Sequence, residues 1–196
     1  MKLQDALPTT VSVGRRVYRL DLDFRNVLRM MDVLADDSLI PEAREYNALC
    51  CIMKHPPKRT APVMMAVRLM LFPEQKQQAD SKKLTDFVQD ADLIRAAFMQ
   101  EYGINLFRDK LHWCEFTALL GGLPEGSRYT DVLGIRARPM PKPTKYNSEE
   151  RQWLQKAKAL HAIRMSEKER EQSYQSSLHR TAASLLALAK RGEHSA

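Results

Sequence analysis

A chain of 196 residues, 44% hydrophobic and 28% charged, can bury one core with an appendage but hardly two full domains. No run approaches the roughly eighteen apolar residues of a membrane span, and the opening MKLQDALPTTVSV lacks the apolar centre of a signal peptide, so a soluble protein of the cytoplasm is the expectation. The net charge of +7 is placed unevenly: residues 1–134 hold 18 Lys+Arg against 18 Asp+Glu, whereas residues 135–196 hold 13 against 6.

In chain order, residues 9–22 carry two β-rich runs around Gly14-Arg15-Arg16, with Val11, Val13 and Val17 alternating with polar residues, and predict a β-hairpin. Two strands are marginal alone, so the hairpin must lie on helices or gain a partner strand. Asp23 reads as an N-cap, followed by Phe24, Val27, Leu28, Met31 and Leu34 at helical spacing. Pro41 suits the first turn of a second helix, in which Leu49 and Ile52 point inward. Thr60 can cap a third, whose residues Val63, Met64, Val67, Leu69, Met70, Leu71 and Phe72 make it apolar nearly all round. Residues 74–83 form a polar link.

A fourth helix is predicted over about 84–102, with Gly103 as its C′ residue, and a fifth over about 107–120. A short sixth spans about 127–133, before Gly134. Residues 138–144, RPMPKPT, are extended and stiff. The expected organisation is therefore mainly α: a helical core domain with its N-terminal hairpin at 1–137, a Pro-rich linker at 138–147, and a basic helical C-terminal extension at 148–196. Residues 149–165 and 167–191 are rich in helix formers, with sparse apolar positions at Trp153, Leu154, Ala157, Leu160 and Ile163, then Leu178, Leu185, Leu186 and Leu188. So narrow a face suits a helix lying against something else, or one ordered only on binding.

The residues that carry chemistry do not assemble into a site. His55, His112, His161, His179 and His194 are scattered, HExxH is absent, and no phosphate-binding glycine motif occurs. Gly121-Gly122-Leu123-Pro124 reads as a helix stop. Asp86 and Asp90 share a face at i, i+4, and Asp92 points elsewhere; carboxylates at a helix start match its dipole and do not by themselves imply a metal. Cys50, Cys51 and Cys114 have no CxxC spacing and read as buried reduced thiols. The reading is of a protein that is not an enzyme and has no cofactor and no metal. Nucleic-acid binding through the basic tail is opposed by six interleaved acids and by aromatics (Tyr146, Trp153, Tyr174) that make no stacking platform. A protein partner is favoured, with Trp153, Leu154, Leu160 and Ile163 as anchors.

Several short blocks add something specific. Phe87-Val88-Gln89-Asp90-Ala91-Asp92, Ala96-Ala97-Phe98, Tyr102-Gly103-Ile104-Asn105-Leu106, Leu111-His112-Trp113, Phe116-x-Ala118-Leu119, Gly122-Leu123-Pro124 and Ile135-Arg136 occur in that order. Leu7-Pro8-Thr9-Thr10, the hairpin and Asp23-Phe24-Arg25 precede them. Together, over about residues 7–138, they resemble a family of small tailed-phage proteins encoded among the tail genes near the tape measure protein; the chain after 145 has no counterpart in that resemblance. The resemblance implies a tail assembly chaperone of the host cytoplasm that binds the tape measure protein and assists polymerisation of the tail tube protein. It supplies no binding residues, and Trp113 and Phe116 are either contact residues or core. A structural tail or connector component of the virion is the alternative, and a nucleic-acid-binding protein the second. Whether the chain forms a homo-oligomer is open.

Overall fold

The computed structural model describes residues 4–72 and 83–164. Among them the fold is mainly helical, with one two-stranded antiparallel hairpin. Strands β1 (Thr10–Val13) and β2 (Arg16–Arg19) pair with Thr10 opposite Arg19 and Val13 opposite Arg16. Gly14 makes the turn at φ 61°, a left-handed conformation that costs glycine little. Val11 turns inward and is buried. Past β2 the chain is tied down by Asp21 N–H donating to Ile52 O at 2.7 Å.

Helix α1 (Phe24–Ala35) starts at Asp23, whose carboxylate accepts from Arg25 N–H at 3.0 Å. Its inward face is Phe24, Val27 and Met30, while Leu28, Met31 and Leu34 are half-buried. Helix α2 (Pro41–Ile52) has proline in its first turn and packs along α1, with Ala48, Leu49 and Ile52 fully buried. Helix α3 (Ala61–Leu71) packs against α2 and β1 and gives the hairpin its support. Thr60 precedes α3 but does not cap it; its hydroxyl donates to Glu45 Oε2 at 2.8 Å and ties α3 to α2.

The second half departs from the sequence expectation at its helix boundaries. Helix α4 runs only over Ala91–Tyr102. Residues 87–90 form a turn because the Asp86 carboxylate accepts from Val88 N–H and Gln89 N–H, a local competitor to helix. Gly103 ends α4 in the left-handed conformation, φ 68°. Helix α5 (Trp113–Gly121) likewise starts late. Asn105 and Asp109 close a turn, with Asn105 N–H donating to Asp109 Oδ2 and Asn105 Oδ1 accepting from Phe107 N–H. Helix α6 (Arg128–Ala137), capped by Ser127, passes through Gly134 to reach Arg136. Residues 139–146 contain no helix or strand, and helix α7 (Ser148–Leu160) follows and packs against α6. The helix expected over 149–165 therefore ends at Leu160, and the one expected over 167–191 lies outside the described residues.

Candidate interaction surfaces

The centre of the molecule is aromatic. Phe24 stacks on Phe116 at 4.6 Å and Phe98 on Phe116 at 5.4 Å, and Trp113 and Phe87 close around them. Trp113 is 4% and Phe116 1% exposed, so both are core and neither is available to a partner. The N-terminus of α5 is fixed from the other half of the chain: Trp113 N–H donates to Leu22 O at 2.8 Å, and Phe24 N–H to Leu111 O at 3.0 Å. His112 has a structural role here. Its Nδ1 accepts from Cys114 N–H at 3.1 Å, which leaves Nε2 to donate to Pro8 O at 2.9 Å. Glu115 answers by accepting from His112 N–H at 2.9 Å.

The buried polar feature is an ion pair. Asp90, at the start of α4, takes both ends of Arg136 of α6, at 2.7 and 2.8 Å, and the two side chains are 1% and 5% exposed. Arg136 also donates to Leu84 O at 2.8 Å and, through Nε, to His161 O at 2.6 Å. Burial alone raises the Asp90 carboxyl, but hydrogen bonds from Arg136 and Asp86 N–H outweigh it and hold the group below its ordinary value. The same pairing raises Arg136. Tyr129, beside the pair, shares a hydrogen bond with Thr85 at 2.9 Å, and burial pushes its phenol up.

This pair also explains the aspartates considered for a metal. Asp86 binds Lys83 at 3.0 Å, Asp92 binds Arg95 at 3.0 Å, and Asp90 faces inward to Arg136. Among the described residues no three such ligands converge. The thiols are less buried than the sequence suggests: Cys50 is exposed, Cys51 and Cys114 half-buried, and all three are free.

Helix α7 is anchored through that node. Leu154 is fully buried, Lys158 Nζ donates to Arg136 O at 2.9 Å, and Gln89 binds Ala162 O and Arg164 N–H through its amide. Arg138 pairs with Glu150 at 2.5 Å, and Arg151 donates to Pro141 O. Of the four residues predicted as anchors on this segment, Leu154 is spent inside the molecule and Ile163 is half-buried. Trp153 and Leu160 remain outside, 56% and 78% exposed.

Sequence reasoning missed a more concentrated exposed apolar run. Helix α3 was read as apolar all round, but only Val63, Met64, Val67 and Leu71 are buried. Met65, Leu69 and Phe72 are 61%, 51% and 40% exposed. Their i, i+4, i+7 spacing was visible in the sequence; which side the rest of the molecule covers was not. No helix among the described residues is long and apolar enough to cross a membrane.

No curated protein and no solved structure matches the chain. A family model described as "Bacteriophage Gp15 protein" matches residues 3–163. That span takes in α7 and Leu154, so it reaches beyond Arg138, where the resemblance read from the sequence ran out. The match covers most of the sequence and nearly all of the described fold, and the chain belongs to this bacteriophage protein family.

Proposed function

We propose that the protein is a non-enzymatic tail assembly chaperone that binds the tape measure protein and assists tail tube assembly. Membership of a phage protein family and the resemblance to tail-gene products support this reading. The observation that carries it is the exposed apolar run of Met65 and Leu69 on α3 and Phe72 at its end, on an otherwise well-packed element. Contiguous exposed apolar side chains mark a surface that meets another molecule. A long apolar helix, such as a tape measure protein presents before its tube forms, needs a transient cover of that kind.

Co-expression with the tape measure protein of the same phage tests it. The chaperone reading expects the tape measure protein to move to the soluble fraction and to co-purify, and the chaperone to be missing from finished particles. A tape measure protein equally soluble without this partner removes the reading. A stoichiometric band in purified virions replaces it with a structural tail component.

A further inference from the structure

The exposed run on α3 has a definite shape and a definite electrostatic frame. Met65 and Leu69 stand about 40° apart and roughly 6 Å along the axis of α3, at ~100° and ~1.5 Å per residue, and Phe72, the residue that ends the helix, follows them with its ring against Trp113. Arg68 borders them on one side. Towards the N-terminus of α3 the run leads past Ala61 and Pro62 into an open cleft shared with Pro41 and Tyr46 of α2.

The segment that carries the run and the hairpin that packs on α3 hold cations and no acids. Residues 46–72 contain Lys54, Lys58, Arg59 and Arg68 and no Asp or Glu. The hairpin that packs on α3 brings Arg15, Arg16 and Arg19, and residues 6–20 contain no acid either. All seven cations are exposed, and none forms an ion pair among the described residues. Among the described residues, Glu42 and Glu45 line the cleft beside Lys58 and Arg59, and Glu45 already accepts the Thr60 hydroxyl.

We propose that the outer face of α3 binds an amphipathic helix of a partner protein whose apolar stripe is bordered by acidic residues. The apolar stripe meets Met65, Leu69 and Phe72, with Met65 adapting its shape to the partner. The acidic borders meet Arg68 and the arginines of the hairpin. A second copy of this chain fits poorly, because a two-fold contact brings Arg68 and its neighbours against themselves. A nucleic acid would match the cations but leave three apolar side chains facing a phosphate backbone. This deepens the chaperone reading, and rests on it only in naming the tape measure protein as the natural source of such a helix.

The test uses the full chain and two synthetic helices with the same leucine face, one bordered by Glu and the other by Lys. Binding is read by fluorescence anisotropy. The Glu-bordered helix is expected to bind about tenfold or more tightly than its Lys-bordered twin and to weaken as salt rises. Leu69→Glu, at a half-exposed position, is expected to weaken binding by about tenfold or more. Arg68→Glu narrows the preference between the helices, and Leu160→Glu on α7 changes neither. If Leu69→Glu lowers the melting temperature, Leu69→Gln replaces it. Equal binding of the two helices, no binding of the Glu-bordered one, or an indifferent Leu69 variant overturns the proposal. So does a dimer, seen by light scattering, that Leu69→Glu dissociates. If the Glu-bordered helix binds but the tape measure protein is not captured, the chaperone reading falls and this surface stands. If Leu69→Glu captures the tape measure protein at the wild-type level, the surface falls and the function stands.

Discussion

Asp90 and Arg136 are separated by 46 positions in the chain and meet with both hydrogen bonds of a bidentate pair in a site closed to water. Removing one partner strands the other charge in a poorly solvated place, so Asp90→Ala or Arg136→Ala should each cost about 3–5 kcal/mol. The double substitution should cost less than the two together, and chemical denaturation of all four proteins gives the coupling. Acid should reveal the same pair. The folded carboxyl titrates below its unfolded value. Its contribution is therefore complete above the ordinary carboxylate range and is lost as pH falls through the lowered folded value. Stability should drop below about pH 4, and less steeply in Asp90→Asn, as thermal melts across that range would show. The sequence offered Asp90 as one of three aspartates near a helix start. Nothing in local spacing tells an inward carboxylate from an outward one, and the partner lies on another helix.

At the scale of elements, the parts governed by local chemistry were legible. The hairpin around Gly14, the Asp23 cap, Pro41 in the first turn of α2 and Gly103 after α4 stand where their residue types place them. Helices α4 and α5 were read as starting too early, because Phe87 and Phe107 prolong the apolar spacing backwards. Side chains that bind nearby backbone, Asp86 in one case and Asn105 with Asp109 in the other, hold those residues in turns. Gly134 misled in the opposite sense: glycine lowers helix propensity by about 1 kcal/mol, and α6 continues because Arg136 lies on its inward face. The narrow face of α7 did signal a helix lying against something else, and α6 proves to be that support. Leu154→Ala should accordingly lower the stability of the whole described fold by about 2–5 kcal/mol, in a single transition followed by circular dichroism. An unchanged main transition would instead make α7 an independent appendage.

At the scale of the molecule, a sum over the sequence hid a pattern that packing creates. Residues 1–134 balance in charge, and that balance directed attention to the tail. Folding sets the hairpin against α3 and so gathers Arg15, Arg16, Arg19 and Arg68 on neighbouring elements, and neither the hairpin nor α3 carries an acid. Composition can state how much charge a segment has, but only the packing states which charges share a surface.

The bonds from Trp113 to Leu22 and from Phe24 to Leu111, the Phe24–Phe116 stack and the edge contact of Phe72 with Trp113 all join residues before 73 to residues after 82. The two stretches are interlocked through one aromatic centre, and each would expose half of it alone. They are thus candidates for complementing fragments. With a protease site inserted between residues 72 and 83, the cut protein should still elute as one particle on size exclusion and separate only in denaturant. Two peaks in native buffer would show that the intervening peptide, and not the aromatic centre, holds the halves together. Should they stay joined, the fragments expressed as separate polypeptides would form a split pair whose reassembly reports directly on the integrity of the core.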